Sequence, residues 1–243
     1  MIKILNVPVS SLSMQETVNY IQERLQKQQK TFVVTANAEI IMMAQNDSAY
    51  LELLRQADIV TPDGAGVVWA AKHLGSPVPE RVAGYDMFHQ LLLLAAKTQK
   101  KVYFFGGKQG IAEQAADKAK VLYPGLVIAG CRNGYFQETE NETIINDINS
   151  SGAEMLFAAL GAPKQEFWLD ENKEKLQANL LMGIGGSFDV LSGQTTRAPL
   201  WMQKEGMEWL YRLMKEPYRF KRMASTLPKF VLKILAKSSN DCN

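Results

Sequence analysis

Short apolar runs, often β-branched or aromatic, recur along this chain, separated by longer stretches whose apolar positions fall three or four residues apart. The runs Thr31–Thr35, Ile59–Val60, Val102–Phe105, Leu126–Ala129, Met155–Leu160 and Leu180–Ile184 predict strands. Several are apolar throughout, as parallel strands covered on both faces must be. The stretches between them predict helices over roughly 13–29, 39–55, 64–74, 84–99, 109–122, 138–150 and 164–174. This alternation predicts a Rossmann-like α/β fold, an open and largely parallel sheet with helices on both faces.

Near residue 196 the pattern changes to helices without strands. The expected organisation is therefore an α/β body over 1–195 and a C-terminal helical appendage over 196–243. Phe220, Met223, Leu227, Phe230, Val231 and Ile234 fall at helical spacing opposite several Lys and Arg. Such a helix can lie in a membrane interface, apolar face down, or can pack on its own body or on another subunit. Charge sharpens the division. From Arg197 onward ten Lys and Arg face four Asp and Glu, a net +6, inside a chain whose net charge is only +2. A basic tail on a weakly acidic body suggests an anionic surface or ligand near the C-terminus.

With 243 residues, 47% of them hydrophobic, the chain fits one large or two modest domains. No stretch of eighteen uncharged apolar residues predicts a membrane-spanning helix. Met1–Asn6 lacks the apolar run of a signal peptide, so a cytoplasmic protein is expected. Cys131 and Cys242 have no metal-like spacing and are expected as free thiols. With only His73 and His89, no histidine-rich metal site is expected.

Five of the predicted strands end in polar or Gly-rich turns: Thr35-Ala36-Asn37-Ala38-Glu39, Thr61-Pro62-Asp63-Gly64, Gly106-Gly107-Lys108, Gly161-Ala162-Pro163-Lys164-Gln165-Glu166 and Gly185-Gly186-Ser187-Phe188-Asp189. In parallel α/β sheets these ends share one edge, and ligands bind there. Asp63 stands between a strand and a small-residue helix opening. It can cap that helix through its backbone N–H groups, or it can take a proton from a bound hydroxyl. Gly185, Gly186, Ser187 and Asp189, after the last strand, are the candidate nucleotide contacts by position alone.

The chain has no Gly-x-x-x-x-Gly-Lys-Ser/Thr loop, no Gly-x-Gly-x-x-Gly, no Asp-x-Asp and no Gly-x-Ser-x-Gly. A nicotinamide-dependent oxidoreductase would use the same sheet edge but would lack its glycine fingerprint. A nucleic-acid-binding protein would explain the basic tail and leave the polar turns without a purpose. An enzyme that expels a diphosphate could instead offset the leaving charge with arginine, whose planar fork matches phosphate oxygens. Arg212, Arg219 and Arg222, spaced seven and three apart, are candidates for that role; a solvated or lipid-facing charge stripe is the other reading.

Taken in order, these turns with Arg81-Val82-Ala83-Gly84-Tyr85-Asp86, Arg197-Ala198-Pro199, Glu208-Trp209-Leu210-Tyr211-Arg212-Leu213 and Glu216-Pro217-Tyr218-Arg219 resemble the WecG/TagA/CpsF glycosyltransferases over roughly residues 2–225. The resemblance implies an inverting, metal-independent and cofactor-free transfer of a sugar, typically N-acetylmannosamine or its uronic acid. The donor would be a UDP-sugar and the acceptor an undecaprenyl-diphosphate-linked sugar at the cytoplasmic membrane face. It implies Asp63 as general base, Thr35, Asn37, Gln165 and Arg81 as substrate-binding residues, and Arg212, Arg219 and Arg222 at the leaving diphosphate. Self-association in water, loosening at a membrane, is a further expectation from exposed apolar faces.

Overall fold

In a computed structural model, which describes residues 1–215 and 220–240, the chain opens with a small hairpin. Strands β1 (Ile2–Ile4) and β2 (Val7–Val9) pair antiparallel around Leu5 and Asn6, both at positive φ (46° and 67°). Two such central residues give a turn that matches strand twist. Three-residue strands are too short to announce themselves by alternation, and the sequence pattern did not predict them.

The main sheet follows. Its elements are α1 (Met14–Gln26), β3 (Thr31–Ala36), α2 (Ala38–Ala44), α3 (Ser48–Gln56), β4 (Ile59–Pro62), α4 (Ala65–His73), α5 (Gly84–Thr98), β5 (Lys101–Gly106), α6 (Ile111–Leu122), β6 (Val127–Arg132), α7 (Asn141–Ser150), β7 (Met155–Ala159), α8 (Lys164–Asn172), β8 (Leu180–Gly183) and α9 (Ser187–Ser192). The six strands run parallel in the order β4-β3-β8-β7-β5-β6. All six coincide with the apolar runs of the sequence. The single helix expected over 39–55 is two, because Asp47 caps a new start by accepting from Ala49 N at 3.0 Å and Tyr50 N at 3.1 Å.

Two hydrophobic clusters sandwich the sheet. Phe32 and Val34 of β3 join one with α2, α3, α4, α7, α8 and the hairpin, while Val33 joins the other with α1, α5, α6 and α9. The alternation along β3 is the two-residue strand period. The turns leaving β3 and β7 therefore run to one face and those leaving β8 and β5 to the other. Neighbouring turns that part in this way open crevices at the carboxyl edge.

Helices α10 (Leu200–Lys204), α11 (Glu208–Lys215) and α12 (Phe220–Asn240) complete the described residues. The apolar face expected on α12 packs in part on its own body. Phe230 and Ile234 are fully buried in the cluster containing α2 and α4, and Met223 is buried too. Val231, Leu232 and Leu235 remain exposed, as do Leu200, Trp201, Trp209 and Met214. Among the described residues no helix is long and apolar enough to cross a membrane.

Candidate functional site

Asp63 is the first residue beyond β4. Its amide still donates to Ala36 O at 3.0 Å, so the strand ladder fixes where its side chain begins. The cap position of α4 is taken not by Asp63 but by Gly64 (φ 92°), with no side-chain cap bond. Instead the Asp63 carboxylate turns toward the start of α5, where Gly84 N donates to Oδ2 at 3.2 Å. The adjoining Val82 N donates to Pro62 O at 3.0 Å, which holds the 82–84 segment along the end of β4.

That segment also covers Thr35. A Cβ added to Gly84 would sit 2.9 Å from Thr35 Oγ1, so only glycine allows this approach. Asn37 follows β3 and caps α2, its Oδ1 accepting from Ile40 N at 3.0 Å. This bond uses the amide oxygen as a structural acceptor and orients the rest of the amide. Thr35, Asn37 and Asp63 are thus gathered at the ends of the adjacent strands β3 and β4, registered Thr35 to Thr61 and Ala36 to Pro62.

Beside them, over the ends of β8, β7 and β5, lies a cavity of about 760 Å³. Gly185, Gly186 and Asp189 line it, as the sequence position after the last strand led us to expect. Ser187 does not: it is buried, and its hydroxyl donates to Ile184 O at 2.6 Å. Lys108 and Lys164, from two of the polar strand-end turns, also line it, as do Tyr135 and Phe136, which the sequence reading missed. Lys164 Nζ lies 4.5 Å from the Phe136 ring centroid. The signal for the two aromatics was the Asn133-Gly134 turn just past β6, a sixth polar strand end.

Gln165 lies behind the Gly185–Gly186 turn, buried in the first turn of α8. Its Oε1 accepts from Gly185 N at 3.0 Å, and its Nε2 donates to Glu166 Oε1 at 2.7 Å. Both ends of the amide are engaged, so Gln165 also shapes the Gly185–Gly186 turn. Glu166 is 1% exposed and interacts with the nearby buried Tyr50 hydroxyl, although neither its Oε2 nor that hydroxyl reaches full hydrogen-bond geometry with a partner among the described residues. Burial pushes the Glu166 carboxyl up, against the weaker opposing effect of the Gln165 bond. The native state therefore holds this proton more tightly than the unfolded chain does. Its stabilising contribution is full below the ordinary carboxyl value of about 4.3 and is lost as pH rises through the higher native value. Glu166→Gln, similar in shape and uncharged, is expected to raise Tm more at pH 8 than at pH 5. Equal shifts in thermal melts at the two pH values would contradict this.

Arg81, one of the expected substrate contacts, is engaged with protein carboxylates: Nη2 lies 3.3 Å from Glu208 Oε2 and 3.9 Å from Asp86 Oδ2. Arg219 lies outside the described residues, as do the side chains of Arg212 on α11 and Arg222 on α12.

Comparison with known proteins identifies the family. The model of the glycosyl transferase WecG/TagA/CpsF family matches residues 2–241. Proteins named N-acetylglucosaminyldiphosphoundecaprenol N-acetyl-beta-D-mannosaminyltransferase are similar to this chain over most of both lengths. That of Bacillus spizizenii strain W23 is 38% identical over 211 residues, 87% of this chain and 81% of the relative. That of Bacillus subtilis strain 168 is 34% identical over 236 residues, 97% and 91%. That of Staphylococcus aureus strain MW2 is 33% identical over 235 residues, 96% and 91%. Near-complete coverage by the family model selects glycosyl transfer over the oxidoreductase and nucleic-acid-binding alternatives, and the chain belongs to the WecG/TagA/CpsF family of glycosyltransferases.

Proposed function

We propose that this glycosyltransferase moves N-acetylmannosamine from UDP-N-acetylmannosamine to undecaprenyl-diphosphate-linked N-acetylglucosamine, as in building the linkage unit of wall teichoic acid. The names of the similar proteins support this acceptor and this sugar. One observation carries the chemistry: a carboxylate held by Gly84 N at a strand end, next to Thr35 and Asn37 and beside a cavity of nucleotide size.

The step is an inverting displacement that needs no metal ion. The acceptor hydroxyl oxygen bonds to the anomeric carbon as that carbon's bond to the UDP oxygen breaks. The hydroxyl proton passes to Asp63, and the electron pair leaves with the diphosphate. Thr35, Asn37 and Gln165 orient sugar hydroxyls or the walls around them. The uridine diphosphate occupies the cavity, with Lys108 and Lys164 toward the phosphates, Tyr135 or Phe136 against the base and Asp189 toward the ribose. Arg212, Arg219 and Arg222 are assigned to offset the leaving charge.

The same segment seats the enzyme on the inner face of the membrane. Trp201 (60% exposed), Trp209, Leu200 and Leu232 offer apolar anchors, with Lys204, Lys229 and Lys233 exposed among them. In water these surfaces favour self-association, which sedimentation with and without detergent measures. The direct test of the transfer is UDP release from UDP-N-acetylmannosamine with a short-chain lipid-linked N-acetylglucosamine and EDTA. Acceptor-dependent release is expected, and Asp189→Ala is expected to raise the donor KM about tenfold, the worth of one charged hydrogen bond. Release from another UDP-sugar alone would overturn the donor assignment, and an unchanged KM would remove Asp189 from the nucleotide.

A further inference from the structure

Four charged side chains fasten the C-terminal segment to the rim of the site. Arg197, shortly before α10, lies over the Tyr85 ring with its guanidinium carbon 4.9 Å from the centroid. Both of its terminal nitrogens grip Asp86, Nη2 to Oδ2 at 2.8 Å, and its Nε donates to Glu208 Oε1 at 3.2 Å. Arg81 reaches the same two carboxylates from the other side. Two cations and two anions make a neutral group, and the Glu208 side chain is only 9% exposed.

What this group holds is the support of Asp63. Asp86 sits in the first turn of α5, whose first residue, Gly84, donates to the Asp63 carboxylate. On the other side of Asp63 the C-terminal segment presses on the start of α4. A Cβ added to Gly206, in the turn between α10 and α11, would lie 2.7 Å from Ala65 Cβ, and the Phe230 ring comes within 3.8 Å of where Gly66 would carry one. The Asp63 turn is therefore clasped on two sides by residues beyond 196.

We propose that Arg197 is a positioning residue for Asp63: by gripping Asp86 it fixes the start of α5, and with it the Gly84 N–H on which the carboxylate rests. The inference rests on Asp63 as the general base. A planar fork is required here, because Arg197 serves Asp86 through two nitrogens and Glu208 through a third; a lysine has one nitrogen and cannot span both. Removing the fork takes one cationic partner from Glu208, which is nearly buried, and cuts its link to Asp86 through Arg197, which favours a shift of α11 and α5 apart.

The test compares Arg197→Lys, Asp63→Asn and the double variant in the full-length enzyme. Arg197→Lys is expected to lower kcat about tenfold to a hundredfold, the cost of an ångström-scale misplacement, with donor KM and UDP affinity unchanged. In the Asp63→Asn background it should cost nothing further, because the two residues act as one unit. Amide hydrogen exchange at Gly84 should quicken in Arg197→Lys. Wild-type kcat in Arg197→Lys, losses that multiply in the double variant, or unchanged Gly84 exchange would each overturn the proposal. Full activity of Asp63→Asn would instead remove the base assignment, and Gly84 exchange would still decide whether the clamp exists. Should Arg197→Lys fail to fold, Asp86→Asn breaks the same grip from α5 and must give the same kinetic split.

Discussion

Asp63→Asn is expected to lower kcat by about 10²–10⁴-fold, the usual worth of a general base, while UDP binding and Tm stay near wild type. The separation of effects follows from the local geometry. Asparagine keeps an oxygen that can accept from Gly84 N, so the 82–84 segment and the contact with Thr35 survive. The cavity over β8, β7 and β5 does not include Asp63, so the nucleotide keeps its contacts. What disappears is a group able to take the acceptor proton. Acceptor-dependent UDP release beside UDP titration calorimetry measures both halves. Full turnover in the variant would place the base elsewhere, and lost UDP affinity would make Asp63 a binding residue.

Ending the chain after Thr195 is expected to abolish nearly all turnover and also to lower Tm. The proposed boundary near residue 195 divides functions more cleanly than it divides packing. Phe230 and Ile234 belong to the cluster that α2 and α4 share with the sheet. Losing two fully buried side chains forfeits roughly 1.5–3 kcal/mol each, a large share of a marginal total of about 5–15 kcal/mol. The truncated body should fold but melt earlier. Its activity should fail for two reasons: Arg197 and Glu208 no longer clamp the Asp63 support, and Arg212, Arg219 and Arg222 are gone. A short-chain acceptor in solution separates these from anchoring. Full activity of the truncated protein on that acceptor would eliminate every catalytic role of the segment, and loss confined to membrane-embedded acceptor would reduce it to an anchor.

Much of this was legible from residue order. Parallel strands covered on both faces are largely apolar, so the six runs between Thr31 and Ile184 declared the sheet, even though edge strand β6 is only partly buried. A parallel sheet also collects its strand ends on one edge, which is why residue order alone groups Asp63, Asn37, Gln165 and Gly185. The hairpin at Ile2–Val9 was not legible, because two three-residue strands give no period. The break at Asp47 was hidden for the opposite reason: the apolar spacing runs on through it, and only the cap bonds reveal a new helix.

Within the site, chemical type was readable while partners were not. The sequence alone determined that a carboxylate follows β4, that amides follow β3 and β7, and that positive charge gathers beyond Arg197. Only the tertiary structure decided that Asp63 leans on Gly84 rather than capping α4, that both ends of Gln165 are engaged, and that Ser187 serves the turn instead of the cavity. It also decided that the apolar face of α12 is divided, with Phe230 and Ile234 turned inward and Leu232 and Leu235 outward. The physical reason is common to all of these. Periodicity and residue type are local and survive in one dimension, whereas hydrogen-bond partners and the choice between core, lipid and solvent depend on surfaces brought together from residues as far apart as Asp86 and Arg197.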